Sequence, residues 1–309
     1  MKTNTLFIVF LFFITLITHG QNYDTIFFMK NGQIINLQSI KTSDVDSITF
    51  YPLGGGGVGG DVAASPAISP DGGLFHDDVT VSLTSSTPGA TIHYSLDSSY
   101  PTNLYSAPFS LGMGAKTIRA KATAPGLYNS EESSASFLVV PTGKNPFLGD
   151  PLPIPGRIKM VDYDTGGQNL AYFDNTPSNQ GYNNETSNYR NVDGPNVEAV
   201  DIWFNDVEGW YTGANAPNEW REYIVNVAIT GGYNVDLRYC TGPGLPGQIR
   251  IELDGINISG PIEMPSTIDY NDWQTINHKV NLTKGLHVLR VFHVLRGTNL
   301  NWLDFTLNP

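Results

Sequence analysis

Two aromatic residues, Tyr270 and Trp273, stand three positions apart in a short polar segment at 265–275, and Asn299 and Asn301 flank Leu300 further on. An aromatic plate stacks on the apolar C–H face of a pyranose ring, and a carboxamide offers both a donor and acceptors to vicinal hydroxyls. These residue types hold a sugar rather than transform it. Successive side chains of a strand point to opposite faces, so Asn299 and Asn301 share one face while Leu300 and Trp302 share the other. Tyr270 lies between Asp269 and Asn271, with no apolar neighbour to bury it, and its ring is expected at the surface. Trp220, Tyr223 and Trp302 sit in apolar runs and are expected in the core.

The elements that must position these groups are strands. From residue 154 onward no amphipathic helical run occurs, whereas β-branched and aromatic runs recur at 199–203, 222–227, 233–239, 248–253 and 280–295. Asp254-Gly255 is a strong hairpin signal. About eight or nine short strands in this space make a sandwich or jelly roll.

Upstream, the chain reads as a series of segments. Residues 1–20 have a charged start and an apolar run from Leu6 to Ile17, the pattern of a secretory signal and too short for a comfortable membrane span. Residues 21–52 form a small β unit with strands expected at 25–29 and 47–51 and a turn at Lys30-Asn31-Gly32. Residues 53–63 are a glycine-rich linker. Residues 64–141 alternate apolar and polar positions between turn clusters, an antiparallel sandwich. Residues 142–153, rich in proline, read as an extended, semi-rigid connector to a last module at 154–309.

Composition narrows the function further. With 17 Lys+Arg against 29 Asp+Glu, the net charge of −12 gives no positive footprint for nucleic acid. The single cysteine, Cys240, excludes an intramolecular disulfide and reads as a buried, inert thiol. His278, His287 and His293 lack metal-ligand spacing, and the glycine run 54–60 is no phosphate loop.

Three resemblances follow from these residues. Residues 21–52 resemble a segment that follows the signal in many exported proteins of Bacteroidetes-type bacteria. Residues 64–141, with Thr87-Pro88-Gly89, Tyr94, Asp97, Pro101, Tyr105, Pro108 and the run 118–122, resemble the small C-terminal β-sandwich of chitobiase-type hexosaminidases, an accessory module. Residues 154–309 carry, in order, Tyr163-Asp164, Val200-Asp201-Ile202, Glu219-Trp220, Tyr223, Pro265, Trp273-Gln274-Thr275, Gly285-Leu286 and Asn299, and resemble a family 6 carbohydrate-binding module. That resemblance implies a β-jelly roll, galactose-binding-like, so the whole chain is expected to be all-β with tandem β-sandwich modules. It further implies that Tyr270 is one wall of the sugar site, Asn299 its amide, and Trp210 or Tyr211 the opposing wall, with Trp210 favoured. The spacing from this aromatic pair to Glu219-Trp220 is longer than the family's, through residues 213–218.

The family's structural calcium is expected to be absent, because Lys159 and Val161 stand where its acidic or amide ligands belong, and a hard cation needs several oxygens. Lys159 is expected to pair with Asp304 instead. The function expected is a secreted, cell-surface or periplasmic, non-catalytic protein that holds a β-linked polysaccharide or its chain ends in an aromatic cleft of the last module, with no membrane contact once the signal is removed. The alternative is a β-sandwich glycoside hydrolase or polysaccharide lyase using carboxylates among Asp201, Glu219, Glu222 and Asp272.

Overall fold

The structure, a computed structural model, describes residues 28–30, 33–35, 61–181, 188–190, 198–296 and 298–308. The secretory signal expected at 1–20, the strand expected at 47–51 and the linker residues 53–60 lie outside the described residues. The chain divides into two compact units, Met1–Val62 with Pro125–Tyr128, and Ala63–Ala124 with Asn129–Pro309.

In the first unit, strands β1 (Phe28–Lys30) and β2 (Gln33–Ile35) form an antiparallel ladder with Phe28 opposite Ile35. Asn31 and Gly32 of the turn expected at 30–32 lie outside the described residues.

The second unit opens with β3 (Ala67–Ser69), β4 (Gly73–Phe75), β5 (Val79–Thr84), β6 (Thr91–Ser95), β7 (Asn103–Leu104), β8 (Phe109–Leu111), β9 (Gly114–Thr123) and β10 (Ser133–Val139). They form a five-stranded sheet ordered β4-β10-β9-β6-β7 and a three-stranded sheet ordered β3-β5-β8. The alternation read in the sequence is the burial observed. Val79, Val81 and Leu83 face inward with Ile118, Ala120 and Ala122, while Thr80 and Thr84 face solvent.

The following sandwich contains β11 (Leu152–Ile154), β12 (Gly156–Lys159), β13 (Tyr172–Phe173), β14 (Ile202–Asn205), β15 (Gly209–Asn215), β16 (Trp220–Val227) and β17 (Gly231–Thr241). Its remaining strands are β18 (Gly247–Leu253), β19 (Ile256–Asn257), β20 (Ile262–Met264), β21 (Gln274–Leu282), β22 (Gly285–Leu295) and β23 (Thr298–Leu307). A seven-stranded sheet runs β11-β16-β22-β18-β19, with β13 on β16 and β20 on β18; a six-stranded sheet runs β14-β15-β23-β17-β21, with β12 on β23. Tyr223, Ile251, Leu289 and Val291 from the first sheet close on Tyr233, Leu237, Leu303 and Phe305 from the second. The fold is all-β, two successive sandwiches of which the second is a jelly roll, and the described residues include no α-helix. Asp254 and Gly255, both at positive φ, make the two-residue turn between β18 and β19.

Two expectations about the core are corrected. Tyr223 is fully buried, but Trp220 and Trp302 are only half-buried and lie on the outer faces of their sheets, each covered by an arginine: Arg290 stands 4.4 Å from the Trp220 ring and Arg157 3.9 Å from Trp302. A bulge decides this. Pairing of β23 with β17 shifts register between Arg238 and Tyr239, leaving Asn301 as an extra residue, so Leu300, Leu303 and Phe305 all face inward and Trp302 turns outward instead of sharing the face of Leu300.

The segment between the sandwiches is stitched to the second one. Asn145 and Thr165 exchange main-chain hydrogen bonds of 3.3 and 2.8 Å, and Lys144, 2 % exposed, ion-pairs with Glu222 and Asp164. Leu138 and Val140 bury against Ile224 of the second sandwich, and Gly285 approaches so closely that a Cβ there would lie 2.8 Å from Ser136 Oγ.

Candidate carbohydrate site

The outer face of the six-stranded sheet is where the functional residue types converge. Strand β14 pairs with β15 so that Trp203 is opposite Tyr211 and Phe204 opposite Trp210. Thr212 is opposite Leu300, whose side chain is buried in the core, so the neighbouring Asn299 faces outward with Tyr211 and Trp203. The adjacent strand places Cys240 opposite Asn299.

Asn299 forms the floor. Its Oδ1 accepts from Ala214 N at 3.3 Å, and its Nδ2 donates to Cys240 Sγ at 3.5 Å. The thiol in turn donates to the main-chain oxygen of Tyr270 at 3.0 Å. Burial pushes the Cys240 thiol up to about 12, so it stays protonated and keeps donating. Burial also raises the Tyr211 phenol, with the neighbouring Cys240 adding to it.

The segment bearing Tyr270 is held at both ends. Thr241 N donates to Thr267 Oγ1 at 3.0 Å while Thr267 N donates to Thr241 Oγ1 at 2.9 Å. Asp269 Oδ1 accepts from Asn271 N at 2.6 Å and Asp272 N at 3.1 Å, the local side-chain turn that aspartate favours. Tyr270 is left 45 % exposed, as its polar neighbours predicted, and its hydroxyl end lies against Gly242, where a Cβ would be 2.7 Å away.

Tyr211 meets Trp273 edge to face at 4.9 Å. Beside them Glu208 ion-pairs with Arg238, Arg238 Nη1 donates to Trp273 O at 3.0 Å, and Asn301 Nδ2 donates to Glu208 O at 2.8 Å. Asn301 is therefore spent on bracing the turn before Tyr211.

Trp210 is not with these groups. It is directed to the opposite side of β15, packed on the core and flanked by Phe204 at 5.0 Å and Tyr189 at 5.8 Å. Strand phase puts Trp210 and Tyr211 on opposite sides of β15, with Tyr211 on the side of Asn299. Of the four residues expected to bind, the structure gathers Tyr211, Tyr270 and Asn299 around Cys240 and separates Trp210.

Trp203 joins the gathered group unforeseen. Its indole lies against Gly213, where a Cβ would be 2.7 Å from Cδ1 and 2.9 Å from Nε1, and also 2.8 Å from Asn299 Oδ1. The signal available in the sequence was its even spacing from Tyr211, readable only once the hairpin register was known.

The longer stretch 213–218 is a hardened rim. Pairing of β15 with β23 shifts register between Thr212 and Asn215, leaving a bulge. Buried Asn215 donates to Thr298 O at 2.6 Å and accepts from Arg221 at 2.5 Å, and Arg221 also contacts His293 at 2.9 Å. Glu219 accepts from Ala216 N and Asn175 N.

Lys159 does not pair with Asp304. The register places Arg157 opposite Asp304, and they form an ion pair at 2.7 Å, whereas Lys159 is opposite Trp302. Val161 is buried in a 3-10 turn at Met160–Asp162. The Lys159 ammonium and the Val161 isopropyl supply no oxygen ligand for calcium, and Asp304 is taken up by Arg157. Away from the Tyr270 face, a cavity of about 390 Å³ lies between the sandwiches, lined by Lys144, Leu170, Trp220, Glu222 and Arg290 among others.

Residues 70–135 match the chitobiase/beta-hexosaminidase C-terminal domain, and residues 188–307 match the carbohydrate binding module (family 6). Among curated proteins, the clotting factor G alpha subunit of Tachypleus tridentatus is 27 % identical over 92 residues, which cover 29 % of this chain and 14 % of that protein. Similar solved structures include the C-terminal family 6 module of a laminarinase from Zobellia galactanivorans, at 23 % identity, 35 % of this chain, 87 % of that chain and a TM-score of 0.33. Another is a module of lichenase 5A from Cellvibrio mixtus in complex with cellotriose, at 26 % identity, 36 % and 86 % coverage and a TM-score of 0.33.

Proposed function

From a last sandwich that matches carbohydrate-binding modules of family 6, we propose that the chain is an exported, non-catalytic glycan-binding protein. Its ligand is a β-linked polysaccharide or the end of one, held on the outer face of the six-stranded sheet. The observation that carries this reading is the convergence of exposed Tyr270, half-buried Tyr211 and the Asn299 amide around one thiol. Tyr270 supplies the exposed stacking plate, and burial of sugar C–H surface against it contributes about 25 cal/mol per Å². Asn299 retains acceptor capacity on Oδ1, since a carboxamide oxygen has two lone pairs and one weak partner here.

A hydrolytic role finds less support. Glu222 is engaged by Lys144 and Arg290, Glu219 and Asp201 accept main-chain N–H groups, and Asp272 caps the Tyr270 turn. Each carboxylate has a structural partner, and glycosidase chemistry needs two facing a common substrate.

The test is titration of the full exported chain with xylan, β-1,3-glucan, cellulose-derived and algal-galactan oligosaccharides, alongside Tyr270→Ala. Binding to one class that is lost in the folded variant supports the reading. Absence of binding to all four, or release of reducing ends on incubation, sinks it.

A further inference from the structure

We propose that Trp203 is a direct sugar contact of this site, the aromatic partner of the Asn299 amide; this rests on the glycan-binding reading above. The argument begins with Gly213. Any side chain at that position would strike the indole of Trp203 and the amide of Asn299 together, at 2.7 to 2.9 Å. The missing Cβ allows an aromatic on β14 to reach across β15 to an amide on β23, joining three strands at one point.

The second observation is the indole N–H. Trp203 Nε1 is a buried donor with no hydrogen-bond partner among the described residues. Buried polar groups in native proteins are overwhelmingly paired, and one left unpaired is a cost that a ligand can relieve. Asn299 Oδ1 has the complementary property, with spare acceptor capacity, and it lies beside the same Gly213 position. The two atoms are therefore no farther apart than two hydrogen bonds can span, about 6 Å. A hydroxyl can accept and donate at once. One sugar hydroxyl entering between them takes the N–H of Trp203 and gives its own proton to Asn299.

The third observation is phase. Trp203 is half-buried on the same sheet face as Tyr211, so part of its ring remains open next to the groups that gather around Cys240. The chemical class this selects is a neutral pyranoside with an equatorial hydroxyl beside an apolar C–H face. The hydroxyl meets the Trp203–Asn299 pair while the ring stacks on aromatic carbon.

The experiment uses the full chain labelled with ¹⁵N at its five tryptophan indoles, and the β-glycan oligosaccharide that binds best in the panel above. Trp203→Phe identifies the Trp203 signal by its disappearance and removes only the N–H and ring area. The expected result is a Trp203 indole signal that moves on titration, with affinity lowered about tenfold or more in Trp203→Phe at an unchanged melting temperature. If the sugar binds and Tyr270→Ala abolishes binding, yet the Trp203 signal stays fixed and Trp203→Phe binds as wild type, this inference is overturned while the site reading stands. If no oligosaccharide of the panel binds wild type, both fall together.

Discussion

The Lys144 ammonium lies 3.5 Å from the Asp164 carboxylate, both side chains 2 % exposed, and it also ion-pairs with Glu222. A residue from a stretch that reads as a connector is thus a buried cation of the second sandwich. Removing one partner of such a cluster leaves an uncompensated buried charge. Lys144→Met is expected to lower unfolding free energy by about 3 kcal/mol, measured by urea denaturation. A loss below about 1 kcal/mol, the range of exposed pairs, contradicts a structural role for this contact.

The same cluster sets a pH dependence. Burial raises the Asp164 carboxyl to about 7, with Lys144 opposing the rise. Because the folded-state value is above the unfolded one, its contribution to stability is complete below the ordinary carboxylate range and is lost as pH rises toward 7. Asp201, raised by burial to about 6, acts in the same direction over a narrower window. His293, held well below its usual range by burial and Arg221, acts oppositely, costing stability as pH falls below about 6.5. The stability difference between wild type and Asp164→Asn isolates the first term. It should shrink between pH 4 and 7 with a slope approaching one proton, about 1.4 kcal/mol per pH unit. A flat difference across that range refutes the assignment.

Trp210 and Tyr270 should separate stability from binding. Trp210→Ala removes a ring packed on the core between Phe204 and Tyr189 and is expected to cost about 3 kcal/mol of stability. Glycan affinity should change little at temperatures where this variant is folded. Tyr270→Ala should do the reverse, with an unaltered melt and binding weakened at least about tenfold. Equal effects of the two on affinity would mean that strand phase has been misjudged.

Cys240 offers a chemical check. A thiol raised to about 12 has a negligible thiolate fraction at pH 8, and thiolate is the reactive form. Native protein should resist a small disulfide reagent for hours and react promptly in guanidinium. Rapid labelling without denaturant would show that the floor beneath Tyr270 is open.

The architecture was readable because alternation is a local property: Val79, Val81 and Leu83 announce one buried face without knowledge of their partners. Asp254-Gly255 likewise announces its own hairpin. The site was readable only in part. Tyr270 could be placed by its polar neighbours, and Asn299 by its alternation with Leu300. The choice between Trp210 and Tyr211 turns on a single-residue phase, and a slip of one position exchanges the faces of a strand. Trp203 and Lys144 escaped because their partners, Gly213 with Asn299 and Glu222 with Asp164, are brought to them by sheet pairing and not by sequence proximity. Arg157 displaced Lys159 at Asp304 for the same reason.

The stitched segment between the sandwiches also decides what cooperation between them can mean. Two modules on a flexible tether gain avidity by searching, each raising the local concentration of ligand for the other. Here Lys144, the Asn145–Thr165 exchange and the close approach of Gly285 to Ser136 remove that search. On the proposed reading, a polysaccharide held at Tyr270 runs past the middle sandwich at one fixed distance and angle, so the two modules act as a ruler and not as two searching grips.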